Sequence, residues 1–224
     1  MLGSNWWVTG ALESGGPIWL FSWIFWVICS ITLHELAHGW AALRRGDTTP
    51  IDTGHMTWNP IVHMGPTSLI MFALLGLAWG AMPIDPTRMR GRFAEAFVAV
   101  AGPVMNLLLA AACILVLGPW IVFGEGEIPE PALSNFRKFL IAGAGLNIVL
   151  AVFNMLPVPP LDGSRVLANF YRPYERFIDS EQGRIMSLVA FVLVFMFSGG
   201  IIFEIGFSGA LAITTEYVLL LRSF

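Results

Sequence analysis

The chain has 224 residues, of which 56% are hydrophobic and only 12% charged, with a mean hydropathy of +0.73. A soluble domain carries roughly 25% charged residues, so a soluble enzyme is excluded and the chain reads as a single polytopic membrane unit. The net charge of −3 selects no partner, because the sidedness of charge matters more than its sum. No basic cluster interleaved with aromatics points to nucleic acid.

Residues 1–16 lack a basic n-region and a small-residue cleavage site, so no removable signal peptide is expected. Trp6 and Trp7 suit the membrane interface. The first span runs over about residues 18–43 and is followed at once by Arg44 and Arg45, which mark that end as cytoplasmic. Near this end stands His34-Glu35-Leu36-Ala37-His38. Two histidines four apart on a helix share one face, so both imidazoles reach one metal ion and the glutamate between them reaches its water. At 1.5 Å per residue the motif lies about 8–14 Å below the cytoplasmic end. Ionisable residues at that depth are expensive and so mark function; the alternative is a histidine pair satisfied by backbone carbonyls or by each other.

Residues 46–66 are polar and broken by Gly and Pro. Thr57 and Trp58 suit a short extended segment close to the site, and Asn59-Pro60 a turn. His55 and His63 are loop histidines, more simply solvated or capping groups than ligands. Residues 67–82 are apolar but short, and Arg88, Arg90 and Arg92 follow. A crossing there would place these arginines opposite Arg44, so a re-entrant hairpin is expected, with a short span as its rival.

Residues 93–123 read as a long helix loosened near Gly102-Pro103, with Asn106 facing the bundle. Residues 124–135 carry Glu125, Glu127 and Glu130 without a base and are placed outside. Residues 136–155 return inward, although Arg137 and Lys138 sit against the charge rule. Prolines 157, 159 and 160 then stop the helix, and Asp162-Gly163 turns at the depth of His38. Residues 164–184, with four arginines, are cytoplasmic. Residues 185–221 exceed the roughly 20 needed for one crossing, so a two-span hairpin divided at Gly199-Gly200 and residues 204–209 is expected, with Arg222 back in the cytoplasm. Cys29 and Cys113 each lie within an apolar run and read as small core residues.

These placements bring His34, His38 and Asp162 together as a two-histidine, one-carboxylate set with a position left for water, the pattern of catalytic zinc. One Zn2+ per chain is expected. It would lower the pKa of water and polarise a peptide carbonyl, with Glu35 as the base that moves the proton to the leaving amine. Asn154 is the first candidate for a further oxyanion donor and Asn106 the second.

The His34-Glu35-Leu36-Ala37-His38 motif, Ala101-Gly102-Pro103-Val104-Met105-Asn106, and the run from Asn154 through Leu161-Asp162-Gly163 resemble the three signatures of the site-2 proteases. These are intramembrane zinc metalloproteases that cut membrane-spanning substrates. The resemblance covers about residues 30–185. It implies His34, His38 and Asp162 as zinc ligands, Glu35 as base and Asn154 as a transition-state aid. The Gly46-Asp47 and Thr57 to His63 stretches look like the compact bacterial and archaeal branch without an inserted PDZ domain. Met64-Gly65-Pro66 departs from the Asp-Pro-type sequence expected after His63, and His55 stands where a basic residue is expected. Both concern substrate handling, a role also open to His63 and Asn106.

The expected fold is therefore all-α, a bundle of about 5–6 transmembrane helices with a re-entrant or short span and a small extended segment near the site. Residues 1–224 are expected to form one metalloprotease domain in a prokaryotic cell membrane, its active site toward the cytoplasm and its partners a transmembrane substrate and the bilayer. The alternative is a non-proteolytic metal-binding scaffold or transporter. A transporter should show paired inverted repeats, which the sequence lacks, and a scaffold has no use for Glu35.

Overall fold

The computed structural model describes residues 6–224, so residues 1–5 of the N-terminal segment lie outside the described part. Eight α-helices and one 3-10 turn, and no strand, make up the described chain. They are α1 (Trp7–Arg44), α2 (Thr49–Asp52), α3 (Pro60–Leu75), α4 (Ala94–Gly124), α5 (Glu130–Asn154), α6 (Asp162–Phe170), α7 (Arg172–Asp179) and α8 (Glu181–Arg222). Four of them, α1, α4, α5 and α8, are long and apolar enough to cross a membrane. The protein is an all-α, multi-pass membrane protein.

Helix α1 is broken at Gly16, before Pro17, so the crossing segment begins where the sequence places it. The preceding turns fold back onto α3. The indole N–H groups of Trp6 and Trp7 both donate to the Ala73 carbonyl, and Trp7 stacks on Phe72.

The segment from α3 onward is a hairpin. Asn59 caps α3 by accepting from the Ile61 N–H, and Gly76 ends the helix in the left-handed region. The chain then returns along α3 without regular secondary structure over residues 77–85. Ser68 holds the return strand by both accepting from the Trp79 N–H and donating to its carbonyl. The Ala81 N–H donates to the His63 carbonyl. An out-and-back course satisfies the rule that irregular backbone at membrane depth be buried in protein or line a cavity. The extended segment thus lies at residues 77–85, whereas Thr57 and Trp58 form a bend.

The hairpin re-enters beside the end of α1. There the fully buried Asp47 accepts from the Thr49 and Asp85 N–H groups at 2.9 and 2.8 Å. Burial works to raise its pKa, but these donors, with Arg88 nearby, outweigh it and hold the carboxyl below the ordinary carboxylate range. Its contribution to stability is therefore present above the unfolded value and lost as pH falls through the folded one.

The core is a seam of aromatic knobs against small residues, the packing lipid favours because no hydrophobic drive operates between helices. Gly143 lies against Trp26, Gly145 against Phe207, and Gly118 against Tyr217. The Trp26 indole also donates to the Phe139 carbonyl at 2.8 Å.

Helix α8 corrects the expected hairpin. Its 42 residues run unbroken through Gly199-Gly200, a length of about 63 Å. Two glycines weaken a helix by about 1 kcal/mol each, which is less than the cost of exposing unpaired backbone groups to lipid. The C-terminal end consequently reaches the α4–α5 turn, where Arg222 pairs with Glu125. Arg222 lies at the end opposite Arg44, not beside it, and residues 185–221 supply one helix long enough to cross where two spans were expected.

Candidate metal centre

His34 and His38 project from one face of α1, and both are buried. Asp162 arrives from the other side as the first residue of α6. The approach requires glycine next to it: a Cβ on Gly163 would stand 2.2 Å from the Met155 carbonyl oxygen. Removing that side chain lets α6 start directly on the turn that ends α5, and so delivers Asp162 to the histidines.

Three facing groups form a close triangle, the two imidazole nitrogens meeting different oxygens of one carboxylate. His34 Nε2 lies 3.0 Å from His38 Nε2 and 3.1 Å from Asp162 Oδ2, while His38 Nε2 lies 3.3 Å from Asp162 Oδ1. Ligands held at roughly 2.0–2.1 Å around a tetrahedral zinc stand about 3.3 Å apart, so the triangle has the size of three corners of that tetrahedron. Among the described residues no other histidine, cysteine or carboxylate cluster of this kind exists.

The hydrogen bonds behind the triangle fix where the protons are. His38 Nδ1 lies 2.7 Å from the Val98 carbonyl, which can only accept, so Nδ1 carries the hydrogen and, in the neutral ring, Nε2 is bare. The same reasoning reaches His34 through two fully buried asparagines. The Gly143 carbonyl can only accept, so Asn147 Nδ2 donates to it and Asn147 Oδ1 is left to accept from Asn106 Nδ2. Asn106 Oδ1 then accepts from His34 Nδ1 at 2.6 Å, and His34 Nε2 is bare as well. In neutral rings, two lone pairs 3.0 Å apart with a carboxylate against both repel one another unless a proton or a metal cation lies between them. Asp162 Oδ2 is correspondingly buried without a hydrogen-bond donor. The residues present fit a zinc ion, and support of this kind orients ligating imidazoles.

This network assigns Asn106 an orienting place. One of its two amide hydrogens is engaged by Asn147, and the side chain is fully buried. Asn147 belongs to the same chain of bonds and was not singled out for the site by sequence; its only signal was an asparagine in an apolar helix, which must find partners.

Gly102 is the other contribution that spacing alone does not reveal. A Cβ there would come within 2.4 Å of His38 Nε2 and 2.5 Å of His34 Nε2, so α4 supports the ligands with bare backbone. Gly102→Ala is expected to weaken zinc affinity by about 10- to 100-fold, the range seen when support to a ligand is disturbed. Competition with a coloured chelator measures it, and unchanged affinity would show that α4 moves aside freely.

Glu35 stands between two cavities. One, of about 590 Å³, is walled by Ile31, Leu77, Trp79, Phe153, Phe191 and Phe195. The other, of about 510 Å³, is walled by Met82, Met89, Glu95, Asp162 and Arg165 among others. His34, Glu35, Gly80, Asn154 and Pro160 line both. The unwound segment presses on the glutamate, since a Cβ on Gly80 would lie 2.6 Å from Glu35 Oε1.

The remaining expected residues sit further out. Asn154 lines both cavities with its amide turned back to the Leu150 carbonyl at 3.1 Å. His63 is buried and lines neither; its Nε2 meets the Thr57 carbonyl at 2.7 Å. His55 bonds to Thr53 and stands 6.4 Å, ring to ring, from His63.

Comparison with known proteins agrees with this geometry. The model of peptidase family M50 matches residues 22–197. The chain is 35% identical over 173 residues to a Bacillus subtilis (strain 168) protein named "Putative zinc metalloprotease YwhC", covering 76% of this chain and 78% of that one. It is 31% identical over 153 residues to a protein of the same description, Rip2, from Mycolicibacterium smegmatis, covering 65% of this chain and 56% of that relative's length. No solved structure matches.

Proposed function

The chain belongs to peptidase family M50, the site-2 protease family of zinc metallopeptidases, and on that premise we propose that it hydrolyses peptide bonds in or near transmembrane segments of membrane-protein substrates, as in regulated intramembrane proteolysis. The observation that carries this reading is the pair of imidazole nitrogens facing a half-buried carboxylate, with a glutamate beside them. His34, His38 and Asp162 would hold the zinc, which when bound supplies Lewis acidity and lowers the pKa of water toward 7. Glu35 takes the proton of the attacking water and hands it to the leaving amine. Asn154, on swinging away from the Leu150 carbonyl, offers its amide to the developing oxyanion. Asn106 holds the His34 ring in its tautomer. His63 supports the substrate side of the site indirectly, by tying residue 57 and the return strand at Ala81 to α3.

The two cavities support a division of labour. The one walled by Phe153, Phe191 and Phe195 is apolar and suits a transmembrane segment. The one walled by Glu95, Asp162 and Arg165 is polar and suits water. We take residues 1–224 as one metallopeptidase domain. All basic residues except Arg137, Lys138 and Arg222 lie at the Arg44 end of the bundle, which supports placing the site toward the cytoplasm of a prokaryotic cell membrane.

The test is cleavage of a single-span substrate by the purified protein in liposomes. Phenanthroline is expected to abolish cleavage, and stoichiometric Zn2+ to restore it. Undiminished cleavage after complete zinc removal, verified by elemental analysis, would overturn the reading.

A further inference from the structure

A third cavity, of about 710 Å³, shares no lining residue with the two at the metal centre. It is a groove between the Arg44 end of α1 and the first half of α4, floored by Ala37, Ala41, Val100, Ala101, Val104 and Leu108. Its size falls in the range of small-molecule sites, and its walls stay open: Phe97 is 41% exposed, Val104 44% and Leu108 59%.

The rim is cationic. Arg44 and Arg45 line it directly, with the Arg45 guanidinium 4.2 Å over the Phe97 ring. Arg92 lies over the ring of Phe93, another wall residue. The Arg90 backbone N–H donates to the Arg45 carbonyl at 2.7 Å, which places Arg90 beside the same turn, with its side chain near Gly46. Arg88 next to them is neutralised by Asp52 at 2.9 Å and Asp85 at 3.3 Å. Among the described residues Arg44, Arg45, Arg90 and Arg92 have no carboxylate within 4.0 Å.

The dimensions match one leaflet. From Phe97 to Leu108 the groove descends about 16 Å along α4, roughly half of a hydrocarbon core of about 30 Å. Charge at the interface and an apolar trough one leaflet deep are the complement of an anionic headgroup with an acyl chain beneath it.

We propose that the Arg44–Arg45 rim and the α1–α4 groove form a binding site for an anionic phospholipid, its phosphate among the arginines and one acyl chain along Val104 and Leu108. The site rests on membrane insertion alone and stands whether or not the metal centre cleaves peptides. Its floor residues Ala37 and Ala101 are the chain neighbours of His38 and Gly102, so the lipid braces the α1–α4 seam from the side away from the metal.

The experiment uses the full chain in detergent with phosphatidylglycerol or phosphatidylcholine of identical acyl chains, reading retained lipid by native mass spectrometry. One phosphatidylglycerol per chain is expected to be held in clear preference to phosphatidylcholine. Each basic group at an anionic headgroup contributes roughly fivefold, so R44Q/R45Q should cut that retention by about tenfold or more. R137Q/K138Q, with the same charge change at the opposite end, should retain it. V104W fills the trough without changing charge and should also lose the lipid. Equal retention of the two lipids by the wild type overturns the proposal. So does unchanged preference in R44Q/R45Q, equal loss in R137Q/K138Q, full retention by V104W, or a co-purifying polypeptide on the groove that phosphatidylglycerol does not displace.

Discussion

Glu35→Gln is expected to lower cleavage of a transmembrane substrate by about 10²- to 10⁴-fold, the range for losing a general base, while zinc content stays at one per chain. The two halves of this expectation come from different atoms. The ligand triangle is built from His34, His38 and Asp162, and none of its supporting bonds to Val98, Asn106 or Asn147 passes through Glu35. Glutamine has nearly the same shape, so the close approach of Gly80 to the Glu35 carboxylate survives the exchange. Only the capacity to take a proton is removed. Elemental analysis and a cleavage assay on one preparation decide the matter. A variant that cuts as fast as wild type would mean another group moves the proton, and the role given to Glu35 would fall. A variant that loses both cleavage and zinc would show instead that the glutamate supports the metal.

The meeting of His34, His38 and Asp162 was legible in the sequence because helical spacing does most of the geometry. Four residues on α1 stack two imidazoles on one face, and the proline run before Asp162-Gly163 stops α5 where α6 must start. Asn147 and Gly102 were less legible, because their contribution depends on which helix lies opposite. Spacing along α4 or α5 does not say that Gly143, Asn147, Asn106 and His34 form one chain of hydrogen bonds across three helices. The re-entrant hairpin followed from charge: a full crossing at residues 67–82 would have stranded Arg88, Arg90 and Arg92 opposite Arg44. Charge reasoning failed at α8 for the converse reason. Arg222 was assigned by its sign alone, whereas its partner Glu125 lies at the far end of the bundle. Length was the second source of error there. A helix of 42 residues exceeds one membrane thickness, but an overlong helix can tilt or project beyond the bilayer without unpairing its backbone.

Asp162→Ala is expected to take the protein from one zinc per chain to a small fraction of that, with the helical bundle intact by circular dichroism. The carboxylate is the only ligand contributed from outside α1, so its loss leaves two imidazoles and no anionic donor. Structural and catalytic zinc sites use at least three protein ligands, and disturbing even the groups behind a ligand weakens binding by about 10- to 100-fold. Removing a ligand should exceed that. The expected outcome also has a structural signature. Without the carboxylate and the cation, the two bare Nε2 atoms 3.0 Å apart have nothing to hold them together. The two rings are then free to turn apart, and the His34 and His38 ring resonances should shift in the variant relative to the zinc-loaded protein. Asp162 lies at the start of α6, outside the four crossing helices, so the substitution leaves the aromatic seam among α1, α5 and α8 untouched. A variant that keeps one tightly bound zinc would remove Asp162 from the ligand set, and with it the three-cornered geometry on which the proposed chemistry rests.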